Sequence, residues 1–202
     1  MRKIGAVVFS GFELLDLYGL LEIFGMLADE FEIRLVAEST GPVACGMGPK
    51  TVVDDRFSDG VQYDILLVPG GPGTRREVDN KVLCDWLRGQ AEAAELVTSV
   101  CTGSAILAAA GLLDGKRATT NKNAFAWATS FGPKVDWQRQ ARWTEDGKFF
   151  TSSGVSAGID MSLSVIAHLF GTELAEQVTV WAEYDWHRDP DWDPFAKIHG
   201  LV

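Results

Sequence analysis

The chain has 202 residues, 47% hydrophobic and 23% charged, the make-up of one globular domain with a substantial core. With 18 Lys and Arg against 28 Asp and Glu, its net charge is -10, which leaves no basic footprint for nucleic acid or an anionic membrane surface. No apolar run approaches the roughly 20 residues of a bilayer span, and the three cysteines, Cys45, Cys84 and Cys101, have neither the number nor the spacing of a disulfide framework or zinc site, so a soluble cytoplasmic protein with free thiols is expected.

The opening MRKIGAVVFSGF has two basic residues and an apolar run, but Ser10, Gly11 and Glu13 interrupt it and no small-residue cleavage site follows. Ile4 to Phe9 reads instead as a first strand, and Glu13 to Ala28 as the helix after it. Phe31 to Ala37 is the next strand. From Thr40 to Asp59 there is no helical period, and Gly41-Pro42, Gly46 and Gly48-Pro49 mark a small β-hairpin. Tyr63 to Val68 is a third strand, running into Pro69-Gly70-Gly71-Pro72-Gly73. A helix over Lys81 to Ala93, a strand over Leu96 to Val100 and a helix over Ser104 to Ala110 follow.

Further on, Gln140 to Thr144 and Lys148 to Ser152 flank Glu145-Asp146-Gly147 as a second hairpin. Ala157 to Phe170 is a helix stopped by Gly171, and Glu173 to Tyr184 a last one. Residues 186–202, rich in Pro, Asp and Trp, are expected as an extended surface tail. Short, nearly continuous apolar strands alternating with helices predict an α/β fold with a mostly parallel, doubly wound sheet and right-handed crossovers. No repeat or linker divides the chain, so 1–202 is one domain.

Cys101 lies directly between a buried strand and a helix, with Thr102, Gly103 and Ser104 permitting a sharp turn. That geometry exposes nucleophiles in α/β-hydrolases, and the positive end of the following helix favours thiolate over thiol. Cys84, inside a helical pattern, and Cys45, in a hairpin, read as inert buried thiols. The Gly70-Gly71 loop can face Cys101 across the sheet and, with the Thr102 N–H, form an anion-binding hole. Asp16, between Leu15 and Leu17, is a partly buried acid in need of a partner. His168 reads as a packed or capped core residue, and His187 and His199 as tail residues. Trp181, Trp186 and Trp192 read as interface anchors.

Four stretches in order, VVFSGFELLDLYG, ILLVPGGPG, VTSVCTGSAILAAAGLLDGKRATT and SSGVSAGIDMSL, resemble the ThiJ/PfpI superfamily over nearly the whole chain. Within it, the LDL acid motif, the SVCTGS turn and the late AGID segment look most like isonitrile hydratases. The resemblance implies a flavodoxin-like three-layer sandwich of the class I glutamine amidotransferase type, usually dimeric, with no metal or organic cofactor. It implies Cys101 as nucleophile, Asp16 as acid/base and Thr102 as the supporting residue beside the nucleophile. Gly71 becomes an oxyanion-type donor, with Gly70 and Asn121 also against a small-molecule substrate. The reaction implied is hydration of an isonitrile to an N-substituted formamide. Glyoxalase or deglycase chemistry on α-oxoaldehydes, or a non-enzymatic oxidative sensor using Cys101, are the alternatives. Many members carry a histidine where this chain reads Ala118-Thr119-Thr120-Asn121-Lys122, which weakens any assignment that needs a Cys-His pair.

Overall fold

The computed structural model describes residues 1–202. In chain order the elements are β1 (Arg2–Val7), α1 (Leu14–Gly25), β2 (Phe31–Ala37), β3 (Pro42–Ala44), β4 (Lys50–Val52), β5 (Asp55–Arg56), β6 (Ile65–Val68), α2 (Thr74–Glu77), α3 (Lys81–Ala93), β7 (Leu96–Val100) and α4 (Gly103–Ala109). There follow β8 (Arg117–Ala118), α5 (Phe125–Thr129), β9 (Asp136–Trp137), β10 (Trp143–Asp146), β11 (Phe149–Ser152), α6 (Ala157–Phe170), α7 (Thr172–Ala182) and α8 (Pro194–Ile198).

Seven strands form one sheet in the order β10-β11-β7-β6-β1-β2-β5. All neighbours are parallel except the edge hairpin β10–β11. Every residue of β6 and β7 is buried, because helices cover both faces and leave no solvent side to alternate with. This is the flavodoxin-like α/β architecture expected of the sequence. The two hairpins also form: β3 with β4 as a separate ribbon, and β10 with β11.

The chain leaves β1 for β2 and β5 on one side and returns to β6 on the other. The crevice beyond the carboxyl ends of strands at such a reversal is where open α/β sheets bind ligands. The loops after β1, β6 and β7 converge there; the first leads into α1, whose first turn carries Asp16, and the other two carry Gly70-Gly71 and Cys101.

Two expectations need correction. Residues 186–202 are not an extended tail. Residues 184–193 have no regular structure, but Pro194–Ile198 close into α8, with Pro at its first turn and the Asp193 carboxylate accepting the Phe195 N–H at 3.0 Å. His168 is not in the core, since its side chain is 41% exposed and its Nδ1 lies 2.8 Å from Glu145 Oε1. The Trp186 Nε1–H is donated within the chain to Asp160 O at 3.1 Å, while Trp181 and Trp192 are 52% and 46% exposed. No helix is long and apolar enough to cross a membrane.

Candidate active site

Cys101 is the first residue after β7 and has φ of +57°. That left-handed conformation is uncommon outside glycine and stores strain where a side chain must be aimed. The turn is held from both sides. The Cys101 N–H lies 3.2 Å from Ser152 O and 3.1 Å from Ser153 O. Its carbonyl accepts from Ser104 Oγ and Thr120 Oγ1, each at 3.0 Å.

The turn is the one the sequence implies, but the environment of the sulfur is not. Cys101 is 6% exposed. Burial pushes its pKa up and the Asp16 carboxylate adds to the rise, opposed by the Thr102 N–H and hydroxyl and the Asn121 side chain. The helix end was expected to favour thiolate; loss of water around the sulfur outweighs it.

Asp16 stands in the first turn of α1 and is fully buried. Its Oδ2 accepts the Gly70 N–H at 2.9 Å, while Oδ1 has no partner. Burial raises the carboxyl pKa to about 7, against the Gly70 hydrogen bond and a contact with Cys101, and with the Glu13 charge adding to the rise. The side chains of Asp16 and Cys101 therefore meet: burial resists the ionising of both, the Cys101 contact favours the carboxylate, and the carboxylate opposes the thiolate.

The glycine loop after β6 is the third part. A Cβ on Gly70 would fall 2.6 Å from Thr102 N and 2.8 Å from both Asp16 Oδ2 and Cys101 Cβ, so only glycine allows the three groups to close on this point. The loop does face Cys101, but its donors are already engaged. The Gly70 N–H goes to Asp16, and the Gly71 N–H, expected as an oxyanion-type donor, is given to Thr102 Oγ1 at 3.1 Å. The Thr102 N–H is the backbone donor directed at the Cys101 sulfur.

Thr74 and Arg75 escaped the sequence reading. Thr74 Oγ1 donates to Gly71 O at 2.7 Å and lies 3.1 Å from Thr102 Oγ1, tying loop to turn. Arg75 donates to Thr74 Oγ1 and lies over the Trp127 ring, 3.8 Å from its centre. Their place directly after the glycine loop was the only signal. Asn121 accepts the Ala124 N–H through Oδ1 at 2.9 Å, so its other amide atom is the one free to face the sulfur.

A cleft of about 350 Å³ is lined by Cys101, Thr102, Gly71, Arg75, Asn121 and Asn123, among others, but not by Asp16. The carboxyl reaches this cleft only beside the sulfur. A larger cavity, about 470 Å³, lies at the carboxyl ends of β1 and β2 by the β3–β4 hairpin and contains none of the site residues.

Among known families, residues 2–168 match the DJ-1/PfpI family. The chain belongs to it. A DJ-1/PfpI relative, the isonitrile hydratase of Pseudomonas putida, is 36% identical over 182 residues, 90% of this chain and 78% of that one. A glutathione-independent glyoxalase of Caenorhabditis elegans is 26% identical over 70% of this chain and 75% of its own. Among solved structures, a ThiJ/PfpI family protein from Pseudomonas syringae superimposes with a TM-score of 0.84 at 33% identity, over 91% of this chain and 75% of that one. The DJ-1/PfpI family thus spans more than one chemistry, and membership alone does not choose among them.

Proposed function

We propose that this protein hydrates an isonitrile, R–N≡C, to the N-substituted formamide, with Cys101 as nucleophile and Asp16 as acid and base. The observation that carries this reading is the buried Cys101–Asp16 contact, with a carboxyl pKa near 7 and no histidine in the cleft. A group titrating near neutrality can both take and give a proton at working pH.

Asp16 first accepts the thiol proton. The sulfur then bonds to the terminal carbon of the isonitrile while Asp16 returns the proton to that carbon, giving the thioimidate Cys–S–CH=N–R. Asp16, a carboxylate again, takes a proton from water as the water oxygen adds to the same carbon, and passes it to the nitrogen, giving Cys–S–CH(OH)–NH–R, whose hydroxyl proton goes to the sulfur in the next step. Collapse of the adduct expels the sulfur, which regains its proton, and releases R–NH–CHO. One water is consumed and no electrons change hands. Thr102 supports the sulfur through its N–H and its hydroxyl.

The C. elegans relative supports a second reading, conversion of an α-oxoaldehyde to a hydroxy acid, against which Asn121 stands where a histidine would shuttle protons. A sensory role is disfavoured, because peroxide selects exposed, acidic thiols and Cys101 is neither. We also propose a homodimer in the cytoplasm. Leu15 and Tyr18 of α1 are each 40% exposed, and the nearby Met47 and Val52 are 60% and 69% exposed. Tyr18 Oη, 2.6 Å from Thr51 Oγ1, joins helix and hairpin into one face.

The test is incubation with an alkyl isonitrile and, separately, methylglyoxal. Formamide is expected from the first, with Cys101→Ala and Asp16→Ala inactive. Lactate from the second without formamide would establish the glyoxalase reading instead.

A further inference from the structure

A second pocket, of about 210 Å³, shares Asn121 and Asn123 with the cysteine cleft. Its remaining walls come from Lys122, from the β11–α6 loop (Ser153 to Ser156) and from Phe195 and His199 at the two ends of α8. Nothing in the proposed chemistry uses it. Of its nine lining residues only Val155 and Phe195 are hydrophobic; apart from Gly154 the others offer hydroxyls, carboxamides, an imidazole and the amine of Lys122, which is buried and already donates to Thr119 Oγ1 at 2.7 Å and to Ala141 O at 2.5 Å.

The walls are held in place. Val155 has φ of +49°, an outlying conformation for a β-branched residue that its surroundings must enforce. The chain leading into α8 is strapped down: Pro190 O accepts the Arg142 N–H at 2.7 Å, and Asp193, 1% exposed, caps the helix.

We infer that this pocket receives the N-substituent of the isonitrile and selects a compact polar group, bearing a hydroxyl, carboxamide or carboxylate, over a bulky hydrocarbon. The inference rests on the hydratase reading. An isonitrile is linear, so once its terminal carbon is at the Cys101 sulfur its substituent projects into whatever space continues from the cleft. Asn121 and Asn123, common to both cavities, mark that continuation. The volume equals that of roughly seven water molecules in the liquid, so the space admits a substituent of up to about seven heavy atoms and the polarity of the walls sets the preference. Filling a polar-walled site with hydrocarbon would strip its hydroxyls and amides of water without replacing their hydrogen bonds.

The test compares kcat/KM for 2-hydroxyethyl, isocyanoacetate and cyclohexyl isonitriles, each divided by the value for methyl isonitrile. The wild type should favour the two polar substrates over cyclohexyl by about tenfold or more. Ser156→Ala should lower the hydroxyethyl ratio severalfold, and Phe195→Ala should raise the cyclohexyl ratio. Both side chains sit on exposed residues, Phe195 being 49% exposed, so folding is retained and thermal melting verifies it. Ratios unchanged in both variants, or a wild-type preference for cyclohexyl, would overturn the pocket assignment while leaving the hydratase reading intact. Formamide from none of the substrates would overturn both.

Discussion

At Asp16 the fold holds a carboxyl in water-free surroundings with one oxygen unpartnered, and its pKa stands at about 7 against an ordinary 3.8. A carboxyl whose folded pKa is raised binds its proton more tightly folded than unfolded. Its contribution is therefore fully present below about pH 4 and is lost as pH climbs to about 7. The charge the proposed mechanism uses is thus a destabilising one. Asp16→Asn keeps an oxygen to accept the Gly70 N–H but cannot ionise. It should abolish formamide production, and its melting temperature relative to wild type should rise by several degrees between pH 5 and pH 8. A gap independent of pH would show that Asp16 does not titrate in this range. Cys101 and Asp16 were legible in the sequence because one follows a buried strand and the other interrupts an apolar helix face. The direction of the Cys101 shift was not legible, since it depends on how completely four loops exclude water from the sulfur.

Between elements, the decisive approach is that of the β6 loop to the start of α4. A Cβ on Gly103 would overlap Val68 O and lie 2.8 Å from Pro69 O, backbone atoms that cannot swing aside. Gly103→Ala should therefore cost about 1–3 kcal/mol in denaturant unfolding and lower activity by displacing the Cys101 turn. Gly89, exposed inside α3 with nothing within 4 Å of its would-be Cβ, is the opposite case. There Gly89→Ala should stabilise by about 0.5–1 kcal/mol and leave activity alone. The strands β2 and β7 and the helices α3 and α6 lie within the bounds their hydrophobic periods mark, because burial on both faces or on one stripe writes itself into the residue order. The pairs β2–β5 and β8–β9 had no such mark. Each involves a strand of two residues, too short to show a period, and is set by its neighbours.

Across the whole molecule, the C-terminal segment is tied to the rest of the fold at Pro190 O, which accepts the Arg142 and Trp143 N–H groups, and at one buried carboxylate. Asp160 of α6, buried, pairs with Arg142 at 2.6 Å and accepts from the Tyr184 hydroxyl at 3.1 Å and the His187 N–H at 2.9 Å. The AGID stretch was visible in sequence as a motif, but its partners lie 18 to 27 residues away and follow no period. Asp160→Ala would leave the Arg142 charge buried and unpaired, so a loss of about 3–5 kcal/mol is expected. The strap should loosen as well, read by new protease cleavage after residue 183. The two effects separate in the double variant Arg142→Met with Asp160→Leu. Removing both charges should recover most of the stability, yet Tyr184 and His187 still lack their acceptor. Cleavage in the segment should persist, and α8 should no longer hold Phe195 and His199 in register with Asn121. If the pocket selects the substituent, this refolded variant should lose its preference for polar isonitriles while still turning over methyl isonitrile at a measurable rate. A double variant with stability, protease resistance and preference all restored would show that neither the ion pair nor the Tyr184 and His187 hydrogen bonds position α8, and that the fault in Asp160→Ala is the unpaired Arg142 charge alone.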